Sequence, residues 1–114
     1  MSEAIAGTLR VSNGCIADIA GYAAMECYGV VGMAEVDARS GVPSLLPDRK
    51  LRRGVDVSTD EQGVHIDLHV IVERGMKLNS VAENLVSSVK YLLNEVAQID
   101  VADVNVHVEG MRTN

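Results

Sequence analysis

Val64–Glu73 reads VHIDLHVIVE, and this stretch limits the possible folds more than any other. Val64, Ile66, Leu68, Val70 and Val72 alternate with His65, Asp67, His69, Ile71 and Glu73. A period of two over ten residues is what a β-strand with one dry face and one wet face requires. A long strand with one polar face belongs to a sheet covered on one side, so helices should pack against the Val/Ile/Leu side.

The neighbouring residues supply the rest of such a sheet. Gly7–Ser12 (GTLRVS) alternates and reads as a first strand, and Ser12 and Asn13 are both candidate N-caps for a helix after it. Ile16, Ile19, Ala20, Ala23 and Cys27 recur at helical spacing, with Gly29 placed to stop the helix. Val30–Val36 reads as a strand interrupted by Gly32. Residues 37–54 form a long basic loop that holds both prolines, with a short helical turn expected at Leu45-Leu46. Val55–Thr59 and the Asp60–Gly63 turn lead into Val64–Glu73 as an antiparallel hairpin. Ser80–Glu83 fits a capping box before a helix whose stripe is Leu85, Val89, Leu92, Leu93 and Val96. Val101–Glu109 is the last strand, with Ala102, Val104, Val106 and Val108 inward, and residues 111–114 are expected to fray. The predicted order is β-α-β-β-β-α-β. This is an α+β two-layer sandwich, a largely antiparallel or mixed sheet with two helices on one face, in one domain spanning residues 1–114.

Composition narrows the function. The core has no Phe or Trp to draw on, so Val, Ile, Leu, Met and Ala must fill it. A formal charge of −6 disfavours nucleic-acid binding, which requires a basic surface. The charge is uneven: Asp37–Arg53 carries five basic residues against two acids, leaving the rest of the chain at −9. Cys15 and Cys27 lie twelve residues apart on one predicted helix, about 18 Å at the usual rise, too far for a disulfide with each other. Both read as reduced core residues. The start Met1-Ser2-Glu3 lacks a signal-peptide pattern and no apolar run approaches a membrane span, so a cytoplasmic protein without direct membrane insertion is expected.

Three groups of residues invite chemistry. His65, Asp67 and His69 share one strand face, and His107 points outward from another strand, so a divalent-metal site is one reading. The reading favoured over it is a solvated or partner-covered polar face, because alternation alone places these residues there and the three positions span about 13 Å. Cys27 has no base placed near it by the pattern, which favours packing over nucleophilic catalysis. Gly29–Gly32 follows a helix instead of preceding one, the wrong context for a phosphate loop. The basic loop is the best interaction candidate: Leu45 and Leu46 beside Arg49, Lys50, Arg52 and Arg53 suit an acidic partner or an anionic lipid surface. Against it stands a simpler role, with the leucines capping the core and the arginines solvated.

Several segments together resemble the alkaline-shock protein family, the general-stress and envelope-stress proteins of Gram-positive-type bacteria. Gly7–Ile19 (GTLRVSNGCIADI) resembles its opening strand-and-helix signature, and Ala23–Met33 (AAMECYGVVGM) its acidic-then-Gly-Val segment. Leu45–Val55, Val64–Gly75, Val81–Val89 and Val104–Gly110 (VNVHVEG) resemble its basic loop, central strand, second helix and closing strand. The chain is similar to the small cytoplasmic branch, which lacks the charged extensions many members carry. The resemblance implies a non-enzymatic, cofactor-free protein of cell-envelope homeostasis that self-associates and binds a protein partner, either a membrane-anchored one or an enzyme of lipid metabolism. It implies no catalytic residues. A regulatory module on a lipid-metabolism enzyme and a small metal-binding protein using His65, His69 and His107 are the rival readings.

Overall fold

Strand Gly63–Glu73 (β4) is the axis of the sheet because it is paired along both edges. The computed structural model describes residues 12–36, 43–46 and 53–113. Along these, helix Asn13–Met25 (α1) is followed by strands Val30–Val36 (β1), Pro43–Leu45 (β2) and Val55–Asp60 (β3), then β4, helix Leu78–Ala97 (α2) and strand Val101–Arg112 (β5). The first predicted strand, Gly7–Ser12, lies outside the described residues except for Ser12, which precedes α1.

β5 runs parallel to β4 over nearly its whole length, from Val64↔Val101 to Glu73↔Arg112. The opposite edge of β4 is shared end to end. β3 pairs antiparallel with its first half, from Asp60↔Gly63 to Val55↔Leu68, and β1 pairs antiparallel with its second half, at Val30↔Val72 and Met33↔Val70. The predicted hairpin is therefore present. Its turn closes with the Gln62 amide donating to the Asp60 carboxylate at 2.8 Å and Gly63 at φ +125°.

The two helices cover one face, as the alternation in β4 requires. Ile66, Leu68, Val70 and Val72 are fully buried there against Ile16, Ala20 and Ala24 of α1 and Val81, Leu85, Val89 and Leu93 of α2. Small residues bring α1 close to the sheet, where Ala20 and Ala24 are wholly inaccessible. The result is the expected α+β two-layer arrangement with a mixed sheet.

Several local expectations are corrected. Leu45 lies on a strand and not in a helical turn: β2 pairs antiparallel with β1 at Ala34↔Leu45, and Leu45 fills the space left by Gly32, where a Cβ would come within 2.7 Å of the leucine Cδ2. The capping box at Ser80 is not formed. α2 starts at Leu78, the Val81 amide bonding the Lys77 carbonyl at 3.1 Å, and its N-cap Lys77 makes no side-chain cap bond because an ammonium cannot accept one. Of the two candidates for α1, Ser12 is the cap, its Oγ accepting from the Cys15 amide at 3.1 Å. α1 ends at Met25, so Gly29 is not its C′ residue; it serves the later turn into β1, at φ +94°. β5 is ordered past Gly110 to Arg112, whose carbonyl accepts from the Arg74 amide at 2.9 Å. Cys15 is exposed where a core position was expected, while Cys27 is partly buried, its thiol donating to the Ala23 carbonyl at 3.4 Å.

Candidate functional site

The face of the sheet turned away from the helices carries a ladder of histidines and carboxylates. Alternation fixes its membership: His65, Asp67 and His69 on β4, Asp56 and Asp60 on β3, and Asp103, Asn105, His107 and Glu109 on β5. Register then brings them together. Asp56 stands across from Asp67 on one edge, while His65 meets Asp103 and His69 meets His107 on the other.

Each β4 histidine is held between two acids from the two flanking strands. His65 bonds Asp60 through Nε2 at 2.8 Å and Asp103 through Nδ1 at 2.9 Å. His69 bonds Asp56 through Nε2 at 3.1 Å and Glu109 through Nδ1 at 2.6 Å. Bonding two carboxylates requires a proton on both ring nitrogens, so this is the geometry of an imidazolium cation. His107 bonds Asp67 through Nε2 at 3.1 Å and stacks on His69 with ring centroids 4.8 Å apart.

The electrostatics agree with the geometry. Hydrogen bonds to Asp60 and then Asp103 raise the His65 pKa above the ordinary imidazole value. Burial pushes the His69 imidazolium towards release of its proton, but hydrogen bonds to Glu109 and Asp56 outweigh this and the net shift is upward. Asp60 is held below the usual carboxylate range by the His65 hydrogen bond, helped by the Gln62 amide.

Of the four candidate metal ligands, the structure links Asp67, His107 and His69 in a row, while His65 is bonded to Asp60 and Asp103. His65 and His69 sit four residues apart, and their ring nitrogens point sideways to β3 and β5. Among the described residues, no group of three or more His, Cys, Asp or Glu is arranged to hold a metal ion.

The basic-loop candidates divide. Arg49, Lys50 and Arg52 lie outside the described residues. Arg53 is exposed and reaches Glu35 at 3.6 Å. Leu46 belongs to the core at 7% exposure, its amide bonded to the Met33 carbonyl at 2.9 Å, and Leu45 packs over Gly32. Leu46 is thus a core residue, while Leu45 is half-buried.

A second surface emerges on the helix layer. Tyr22 of α1 and Tyr91 of α2 are 58% and 67% exposed, and Val96 is 62% exposed. They border shallow grooves floored by Ile19, Ala23 and Leu92. Both tyrosines fall in helical patterns of the sequence, yet their common face becomes visible only once α1 and α2 lie side by side. Val96 falls within the arc of the α2 stripe, so its exposure comes from its place in the last turn and not from its angle. Among the described residues, no helix is long and apolar enough to cross a membrane.

Known proteins share this chain's sequence along nearly its whole length. The model of the alkaline-shock protein family, described as having a cell envelope-related function, matches residues 1–113. The chain is 39% identical over 107 residues to the uncharacterised protein YloU of Bacillus subtilis, covering 93% of this chain and 89% of that protein. It is 31% identical over 107 residues to the uncharacterised protein Spy1614 of Streptococcus pyogenes, covering 93% and 88% respectively. It is also 25% identical over 113 residues to a stress response regulator gls24 homologue of Streptococcus pyogenes, covering 99% of this chain and 63% of that protein. No solved structure gives a significant match.

Proposed function

The chain belongs to the alkaline-shock protein family, and we propose that it serves cell-envelope homeostasis without catalysis, by associating with itself and with a protein partner. The observation that carries this reading is the exposed Tyr22–Tyr91–Val96 surface across both helices. Large apolar side chains gathered on one face, flanked by shallow grooves, are the anatomy of a protein-binding patch. Tyrosine suits such a role because it offers a broad apolar ring with a polar tip and few rotatable bonds.

The sheet face supports the non-enzymatic half of the reading. A catalytic histidine needs a nitrogen available to a substrate proton. Here both nitrogens of His65 and both of His69 are bonded to carboxylates of the protein itself. The similarity to stress response regulator homologues supports a role under stress, with the partner at or near the envelope.

The test is a photoreactive phenylalanine analogue placed at Tyr22 or Tyr91 in growing cells, with Lys90 as an exposed control on the same helix. Covalent adducts to one envelope-associated protein from positions 22 and 91, absent from position 90, are the expected result. Equal labelling from all three positions, or no adduct from 22 and 91, contradicts the assignment of this surface.

A further inference from the structure

Among the described residues, β5 is an outer strand of the sheet. β3 and β1 take one edge of β4, β5 takes the other, and α1 begins beside β3, where Asn13 donates to the Val57 carbonyl at 3.5 Å. Among the described residues, no strand pairs with the far edge of β5. Outer strands are usually kept short or guarded by Pro or Lys, because their unpaired amides and carbonyls recruit other strands. β5 is 12 residues long, and Asp103–Val108 reads DVNVHV, with neither Pro nor Lys. Register shifts at Ala102 and Glu109 bracket this regular run. The helix side of the same edge is only half covered: Val106 remains partly exposed, and a groove of about 470 Å³ runs between it and α2, lined by Val86, Val104 and Val106 together with the polar Glu83, Ser87 and Asn105.

We propose that the far edge of β5 pairs antiparallel with β5 of a second copy of this chain, about a twofold axis at Asn105. This rests on the self-association reading above and names the surface responsible. With the axis at Asn105, Val104 stands across from Val106 of the second copy, on the helix side. On the polar side Asp103 stands across from His107 of the second copy. Directly opposed side chains interact, and like charges in such a pair oppose it. Shifting the axis to Val106 would set Asp103 against Glu109. Asp103 engages His65 through Oδ2, so its Oδ1 can accept from a donor across the axis. A twofold, self-complementary interface is the commonest form of homodimer.

The test uses the full chain with Cys15→Ser and Cys27→Ser. Asn105→Cys in that background should form a disulfide-linked dimer under mild oxidation, since residues on the axis face their own copies. His107→Cys should remain uncrosslinked, because the two thiols would lie about 13 Å apart along the strands. Asn105→Lys, with an unchanged circular dichroism spectrum, should weaken the dimer by about tenfold or more by placing two ammonium groups face to face. A wild-type chain that dimerises while Asn105→Cys fails to crosslink and Asn105→Lys leaves the mass unchanged overturns this edge, with self-association left standing. A wild-type chain that is monomeric at every concentration overturns both.

Discussion

His69 and His107 stack ring on ring across the parallel β4–β5 pair, their planes 15° apart, while His69 also bridges Asp56 and Glu109 from opposite strands. One side chain therefore ties three strands together on the face that no helix covers. His69→Ala leaves two acids without their shared cation and removes a stacking surface. We expect a loss of about 1–2 kcal/mol in chemical denaturation, with His69→Gln recovering part of it as a neutral donor. An unchanged midpoint for His69→Ala would show that the ladder adds nothing to stability.

The same ladder sets the pH response. His65 and His69 have pKa values raised by folding, so their contribution is complete below the unfolded imidazole value of about 6.5 and fades as pH rises through the higher folded values. Asp60 has the opposite sign: its value is lowered by folding, so its contribution is present above the unfolded carboxylate value of about 4 and fades as pH falls through the folded value. Thermal melting across this range should therefore show greatest stability between these limits and a decline towards alkaline pH. In a His65→Gln/His69→Gln variant the alkaline decline should flatten.

Gly29 makes a backbone prediction. Its φ is +94°, and a Cβ there would meet Val81 Cγ2 at 3.0 Å and Met76 Cε at 3.1 Å. Its carbonyl also accepts from the Glu73 amide at 2.8 Å, so the turn is anchored to the end of β4. Gly29→Ala should cost about 1–3 kcal/mol, since an L side chain disfavours this conformation and the site has no room for it. Calorimetry on the purified variant would measure the cost.

Leu46 tests the division between core and docking surface. As a core residue it should behave like other buried leucines, and Leu46→Ala should lose about 2–4 kcal/mol in denaturant unfolding. An exposed docking residue would lose almost nothing. A near-neutral Leu46→Ala would return the leucine pair to the interaction surface.

The sequence disclosed β4, its hairpin with β3, both helices and the polar face, because each rests on local periodicity or, for the hairpin, on the turn residues Asp60–Gly63. It did not disclose β2. Leu45 is placed by the space above Gly32, a contact between residues thirteen positions apart that no local pattern carries. Alternation sets Ile71 on the polar face, yet it is almost wholly buried: its neighbour across β5 is Gly110, and a Cβ there would stand 3.3 Å from Ile71 Cδ1. The side chain missing at Gly110 leaves room for it. The pairing of His65 with Asp60 and Asp103 needed the register, which alternation does not provide. The tyrosine surface likewise needed the packing of one helix beside the other.

If this chain works by association, its mass in solution must depend on concentration. Light scattering on the wild-type chain should be followed from micromolar to millimolar concentration. The predicted result is a rise to twice the 12.2 kDa chain mass, through a reversible and concentration-dependent transition. A mass of one chain at every concentration would contradict it.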